Sequence, residues 1–123
     1  MFLQYYVTDS TTRNRVNIEI NAATKADLDA TRNGWQTVWN TDFILDPQKE
    51  KYAAKTEDGE IIALGAYRVR KGSVAVYIAY IESQPESNPT LVEHKKYSGI
   101  GKAMIAFGIQ LSIDASCNGV VVF

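Results

Sequence analysis

Two glycines stand immediately before the longest apolar helical pattern of this chain. Gly99 and Gly101 fall within residues 96–104, which read Lys-Tyr-Ser-Gly-Ile-Gly-Lys-Ala-Met. Glycine leaves neighbouring amide groups unshielded, and the first N–H groups of a helix have no partner inside that helix. The helix macrodipole adds partial positive charge at the same end. The spacing therefore predicts a turn suited to binding phosphate oxygens.

Two widespread glycine motifs fit these residues poorly. A mononucleotide P-loop requires Gly at the position of Lys96 and Ser or Thr at the position of Ala103. A dinucleotide fingerprint requires a third Gly at the position of Met104 and a strand that leads straight into the turn, whereas residues 84–94 intervene here. The sequence therefore excludes P-loop chemistry and disfavours a dinucleotide site.

Length and composition narrow the classes of protein further. The 123 residues, 46% of them hydrophobic, predict one domain with its own core. A net charge of −1 lacks the basic surface that nucleic acid or anionic lipid would require. The single Cys117 and the single His94 are too few for a zinc site, and a lone Cys fits a reducing compartment. Because no span or leader pattern is present, we expect a cytoplasmic protein with neither nucleic acid nor membrane as partner.

The first half of the chain predicts two strands and a helix. Residues 2–7 and 16–20 carry strand patterns, and Thr24 precedes Asp27 as in a capping box. Apolar residues at helical spacing then predict a helix of about four turns that reaches Trp39. Gly34 leaves open a break or a second short helix after it. Residues 42–51 are expected to form an irregular loop.

The second half predicts a sheet and a buried helix. The Asp58-Gly59 pair favours a hairpin turn in a meander of three strands. The last of these strands, residues 73–83, is apolar on both faces and is expected mid-sheet with both faces covered. A loop over residues 84–94 leads to the glycine turn, and the helix after it is expected to stop at Asn118-Gly119. Residues 120–123 predict a short buried strand, parallel to residues 73–83.

In this context residues 96–104 resemble the acyl-CoA signature of the GNAT N-acetyltransferases. That signature is a basic residue or Gln, two further residues, Gly, one residue, and then Gly or Ala, and the order of elements over residues 16–123 is similar too. The resemblance implies an α/β (α+β) fold with a mixed, mostly antiparallel central sheet and a buried crossover helix, truncated after the fifth core strand. Residues 1–15 would form an extra strand and turn, and acetyl-CoA (coenzyme A) would be the co-substrate.

The resemblance also assigns residues to the cofactor. Amides of the turn would bind the diphosphate, with Lys96 or Lys102 adding charge. Residues 81–85 resemble the strand end whose alternate backbone groups line the pantetheine arm. The cofactor-binding candidates are Ile81, Ser83, Lys96, Tyr97, Ser98, Gly99, Ile100, Gly101 and Lys102. The alternative is a tight turn that merely starts a buried helix.

Acetyl transfer to an amine needs a base, and Glu82 at the end of the central strand is the candidate, directly or through water. The alternative is a solvated carboxylate. Tyr77 and Tyr80 suit either an acceptor pocket or the core, and His94 suits proton transfer or a solvated loop. Cys117 has no visible base partner, which disfavours a covalent acyl-enzyme.

Three departures from the family pattern qualify the resemblance. Lys96 replaces the usual Arg or Gln, which loses the bidentate fork. Residues 86–95 form a longer link than usual, which would fold over the acyl site or act as a mobile lid. Family members also continue beyond the last strand with a helix that often supplies a Tyr as general acid, and this chain ends at Phe123.

We therefore expect an acetyl-CoA-dependent N-acetyltransferase acting on a small-molecule or peptide amine. The alternatives are a catalytically impaired acyl-CoA-binding or protein-interaction module with a GNAT-like fold, and a structural domain that binds no cofactor. An unpaired edge on a strand over residues 120–123 would invite pairing with another chain, so we also expect a homodimer.

Overall fold

The computed structural model describes residues 4–31, 34–37, 39 and 49–123 as a seven-stranded sheet with one long helix packed on it. The elements are β1 (Tyr5–Asp9), β2 (Arg15–Ala22), α1 (Lys25–Asp29), β3 (Lys49–Thr56), β4 (Ile61–Arg68), β5 (Val76–Ser83), a 3-10 turn (Pro85–Ser87), β6 (Tyr97–Ser98), α2 (Ile100–Asp114) and β7 (Val121–Val122). The strands lie in the order β6-β1-β2-β3-β4-β5-β7, and only β5 and β7 are parallel. An α+β fold with a mostly antiparallel sheet is thereby confirmed.

Local sequence signals predicted several of these elements correctly. Strands β1 and β2 form an antiparallel hairpin, and β3, β4 and β5 form the predicted meander. Gly59 has a φ of +87° in the turn between β3 and β4, which explains the Asp58-Gly59 pair. The Thr24 hydroxyl accepts from the Asp27 N–H while the Asp27 carboxylate accepts from the Thr24 N–H, so the capping box is confirmed.

Strand β6 is the element that the sequence did not predict. Tyr97 and Ser98 pair with Asp9 and Thr8 of β1, and the Ser10 N–H donates to the Lys96 carbonyl. The loop after β5 therefore crosses to the opposite edge of the sheet before α2 begins.

The first helix is much shorter than predicted, because α1 ends at Asp29 with Ala30 as its C-cap. Gly34 has a φ of +89°, which a right-handed helix cannot contain. The N–H groups of Gln36 and Thr37 bond to the Glu82 side chain rather than to carbonyls one turn earlier. Residues 2–3 of the first predicted strand, residues 32, 33 and 38 of the predicted helix and residues 42–48 of the predicted loop lie outside the described residues. The loop prediction is wrong for residues 49–51, which belong to β3 because they pair with β4.

Helix α2 begins where predicted but ends four residues before Asn118. Ser116 takes a left-handed φ of +63°, its N–H donates to the Ile113 carbonyl, and the Cys117 N–H donates to the Ser112 carbonyl. This is the hydrogen-bond pattern of a Schellman motif, here with Ser in the position that Gly usually occupies. Cys117 is free and buried under this turn, as expected for a small apolar residue.

Two predictions about strand burial are wrong. Strand β5 begins at Val76, and Val74 is 87% exposed. Tyr77 remains partly exposed on the face opposite α2, so β5 is not covered on both faces. Strand β7 is parallel to β5 as predicted, but it is a sheet edge with Val122 and Phe123 exposed rather than buried.

The core on the α2 side of the sheet leaves no space beside Gly65 of β4. A Cβ atom at this position would lie 2.7 Å from Cε2 of Tyr67 and 2.9 Å from Cε of Met104. The Tyr67 ring is held in place because its hydroxyl donates to the Met104 carbonyl at 2.7 Å.

We expect Gly65→Ala to lower the free energy of unfolding by about 1–3 kcal/mol, the usual cost of overpacking a well-filled core. The measurement is urea unfolding followed by far-UV circular dichroism. Gly101→Ala is the matched control, because a Cβ at Gly101 meets nothing within 4 Å. Equal stability of the two variants would contradict this description of the core.

Candidate active site

The glycine turn leaves the start of α2 open. Gly99 is the N-cap residue with a φ of +88°, and the helix closes its first bond from the Ala103 N–H to the Gly99 carbonyl. The N–H groups of Ile100, Gly101 and Lys102 have no protein partner within the described part of the chain. A Cβ at Gly99 or Gly101 would meet nothing within 4 Å. Three amide donors are therefore accessible at the positive end of a helix.

A cleft of about 710 Å³ lies beside this turn. Its walls are residues 4–8, which include most of β1, and the start of α2, including Ser98, Gly99, Lys102 and Ala103. Lys102 is exposed and has no carboxylate partner among the residues that the structure describes. Ile81 and Ser83 do not line this cleft. Of the turn, Ser98, Gly99 and Lys102 line this cleft on the β1 side of the helix, whereas Ile100 and Gly101 do not.

A second open feature runs along β5. Strand β7 pairs with β5 only at Val76 and Tyr77, so no strand in the described ranges lies beside the rest of β5 on that side. The Gln84 N–H donates to the Ile62 carbonyl of β4. Because backbone groups alternate in direction along a strand, those of Ser83 and Ile81 point away from β4, toward the open edge.

A β-bulge marks the point where this open edge begins. Ala66 lies opposite Tyr80 while the next residue of β4, Tyr67, lies opposite Ile78, so Ala79 is the extra residue. The shift changes which side chains of β5 face α2. Tyr77 and Tyr80 therefore lie on the same face of the sheet, opposite α2. Tyr80 pairs with Ala66, which belongs to the core on that face.

The glycine turn and the open edge are connected through the core and through hydrogen bonds. Ile81 packs against the cluster that contains Tyr97 and Ile100. The Ser87 hydroxyl accepts from the Tyr97 N–H at 3.1 Å and donates to the Gln84 side chain at 3.0 Å. The end of β5 and the start of α2 are therefore joined, although the cleft itself opens on the side of β1.

Lys96 is engaged with a carboxylate rather than free for a phosphate. Its Nζ lies 2.9 Å from Oε2 and 3.1 Å from Oε1 of Glu60, which also accepts from Gln84 and Tyr97. The hydrogen bond with Glu60 raises the pKa of Lys96. Burial opposes the ionisation of Glu60, but the hydrogen bonds from Lys96 and Gln84 outweigh it, so the pKa of Glu60 lies below its ordinary value. Glu60 gave no signal in the sequence because its partners are 24 to 37 residues away.

This ion pair predicts an acid-dependent loss of stability. Because the folded-state pKa of Glu60 is lowered, its contribution is fully present above the unfolded-state value of about 4.3 and is lost as the pH falls through the folded-state pKa. We expect Glu60→Gln to be less stable than the natural chain at pH 6, and the difference to disappear as the pH falls through the lowered folded-state pKa of Glu60. Urea unfolding across this range measures the difference. A difference that does not depend on pH would contradict the assignment, and Glu57→Gln, an exposed neighbour, is the control.

Glu82 is buried, so the interpretation as a solvated carboxylate is wrong. It is 4% exposed, and its oxygens accept from the Gln36 N–H at 2.6 Å, the Thr37 N–H at 3.2 Å and the Trp39 indole at 2.8 Å. Its role as a base remains a prediction, because the three bonds occupy three of the four lone pairs of the carboxylate. The signal in the sequence for this environment is that Tyr80 and Glu82 lie two residues apart and therefore share one face of β5.

The long link over residues 86–95 is tied to the same segment. The Gln36 side chain donates to the Thr90 hydroxyl at 2.9 Å and accepts from the Asn88 amide at 3.0 Å. The Lys96 N–H donates to the Glu86 carbonyl at the other end of the link. The link therefore folds back over the end of β5, on the side of Trp39, and His94 within it is exposed.

Other classes of site are not found in the described residues. No group of three or more His, Cys, Asp or Glu side chains there could hold a metal ion. No described helix is long and apolar enough to cross a membrane. The outer edge of β7 has no partner strand within the described ranges, and the homodimer stays a prediction. Comparison of the chain with protein-family models, with curated proteins and with solved structures gave no match.

Proposed function

We propose that this protein binds acetyl-CoA and transfers its acetyl group to an amine, in the manner of the GNAT N-acetyltransferases. The observation that supports the proposal most is the parallel pair β5 and β7, which separates after Tyr77 and leaves the backbone of Ile81 and Ser83 without a partner strand in the described residues. This part of β5 is linked to the glycine-capped start of α2 through the core and through Ser87. Each of these features fits a different part of coenzyme A.

The fit can be followed along the cofactor. Its diphosphate needs several N–H donors and little side-chain bulk, which the turn offers at Ile100, Gly101 and Lys102. Its pantetheine arm carries amide groups, which can hydrogen-bond to an open strand edge at Ile81 and Ser83. An arm that runs from the helix start along this edge brings the thioester to the bulge at Ala79.

The reaction at the bulge is an acyl transfer. The nitrogen of a neutral amine attacks the thioester carbonyl carbon, the C–N bond forms, and the C–S bond breaks. The proton that the nitrogen loses is taken up by the departing thiolate, directly or through water. Because the oxygens of Glu82 already accept three bonds, we assign Glu82 to holding Gln36, Thr37 and Trp39 in place rather than to carrying this proton.

A second function, binding of acyl-CoA without catalysis, is favoured by the three hydrogen bonds that engage Glu82. With Glu82 engaged, no other carboxylate on β5 lies at the bulge, since Glu82 is the only acidic residue of that strand. A protein of this kind would bind the cofactor and leave an amine unmodified.

Calorimetric titration with acetyl-CoA, with ADP as the comparison ligand, tests both functions. We expect one site per chain, and at about 100 times the dissociation constant a gain of roughly 2.7 kcal/mol in the free energy of unfolding. Release of free thiol in the presence of a panel of amines then separates the transferase from the binding module. Absence of binding would overturn both functions.

A further inference from the structure

Arg68 is the last residue of β4. It lies opposite Tyr77 of β5, which in turn lies opposite Val122 of β7, so the three residues form one row across three strands. This is the last row in which β5 and β7 are paired. Arg68 alternates with Ala66, which packs with Trp39, and it therefore lies on the face of the sheet opposite α2.

The guanidinium of Arg68 lacks the partners that such a group normally has. Its Nε is buried and has no hydrogen-bond partner, and no ion pair joins Arg68 to a carboxylate of the described residues. Its Cζ lies 5.8 Å from the centroid of the Tyr77 ring. By contrast, Lys55 and Lys96 are each bound to a carboxylate. A buried donor without an acceptor is costly, and the Arg68 residue as a whole is partly exposed, so the site is suited to an anionic group from outside the chain.

Two partly exposed aromatic rings lie on the same face of the sheet as Arg68. Tyr77 is 39% exposed and Tyr80 is 36% exposed, and the ring of Tyr80 is held against Trp39 in an edge-to-face contact at 5.6 Å. Rings held in this way offer apolar surface together with hydroxyl groups. A planar guanidinium matches a carboxylate best, because two N–H groups can bind its two oxygens at once.

We propose that Arg68, Tyr77 and Tyr80 bind the carboxylate of an amine that carries both groups, such as an amino acid or a peptide C-terminus. Binding of the carboxylate does not depend on the enzyme activity. The role of this amine as acetyl acceptor rests on the proposed function, because the thioester at the bulge would then lie beside Tyr80.

The binding arm uses the natural chain labelled with ¹⁵N, in which the Arg68 Nε–H resonance is assigned from its absence in Arg68→Gln. Phenylalanine and phenethylamine, which differ only in the carboxylate, are the probes. We expect a saturable shift of the Arg68 resonance with phenylalanine and none with phenethylamine. The Nε–H of Arg15, which lies over the exposed ring of Tyr6, should not shift with either probe. No Arg68 shift with phenylalanine, or equal shifts with the two probes, would overturn the proposal.

The turnover arm measures kcat/KM for the same two amines with acetyl-CoA. Arg68→Gln should lower the value for phenylalanine by about 10- to 100-fold, as expected for losing a charged hydrogen-bond partner, and leave phenethylamine unchanged. Arg15→Gln should change neither value. If the protein fails to bind acetyl-CoA, the proposed function fails, while the resonance shift still decides the carboxylate site. A similar loss for both amines would overturn the role of Arg68 in recognising the acceptor.

Discussion

Replacing Gly101 by Val is expected to abolish acetyl-CoA binding while the protein stays folded. Gly101 lies in the first turn of α2, and a Cβ built on it meets nothing within 4 Å, so the added side chain enters empty space rather than the core. That space is where a diphosphate would approach the N–H groups of Ile100 and Lys102. A branched side chain there excludes the ligand from its donors, and we expect the dissociation constant to rise by at least about 100-fold, or roughly 2.7 kcal/mol.

Calorimetry measures the affinity and thermal unfolding measures the fold. Gln110→Val places the same β-branched residue later in α2, away from the cleft, and should bind acetyl-CoA as the natural chain does. Gly99→Ala separates backbone strain from obstruction of the ligand. Because Gly99 has a φ of +88°, this variant should lose stability rather than affinity for acetyl-CoA. Undiminished binding by Gly101→Val would show that the turn is not the diphosphate site.

Replacing Glu82 by Ala is expected to cause the largest loss of stability of any substitution considered. The change removes the acceptor of three N–H donors, from Gln36, Thr37 and the Trp39 indole, in a site where Glu82 is 4% exposed. A buried donor left without an acceptor costs about 1–3 kcal/mol. Since water can reach the partly exposed Gln36, we expect a total of about 3–5 kcal/mol.

Urea unfolding monitored by Trp fluorescence measures this loss, since Trp39 is one of the partners. Glu93→Ala is the control, because Glu93 is exposed on the link, and it should change stability by less than about 0.5 kcal/mol. Glu82→Gln keeps one acceptor oxygen, so its loss of stability should lie between those of Glu82→Ala and Glu93→Ala. A loss below about 1 kcal/mol for Glu82→Ala would contradict the hydrogen-bond network.

The two experiments together also bear on the role of Glu82 in the proposed reaction. If Glu82→Gln keeps a folded protein with unchanged kcat and an unchanged pH profile, Glu82 positions Gln36, Thr37 and Trp39 and does not carry the proton. If kcat falls while acetyl-CoA binding is retained, the role as base predicted from the sequence is the better account.

What the sequence by itself determined is the set of features whose partners lie a few residues apart. The capping box joins Thr24 to Asp27, the hairpin turn depends on Gly59, and the glycine turn before α2 is followed by its helix at once. In each case the hydrogen bonds or dihedral angles are fixed within three or four residues, so local residue types are sufficient. The strand-forming residues on either side of the Asp58-Gly59 turn likewise predicted the meander, and the helix between β5 and β7 predicted that these two strands are parallel.

The tertiary structure alone decided the features whose partners are distant in sequence. Glu82 bonds to Gln36, 46 residues away, and this contact turns a predicted helix into an irregular segment. Strand β6 pairs with β1 across nearly the whole chain, which moves the glycine turn to the far edge of the sheet. The folded sheet likewise brings no carboxylate of the described residues to Arg68. Such contacts depend on which side chains the folded sheet brings together, and a local pattern carries no information about that.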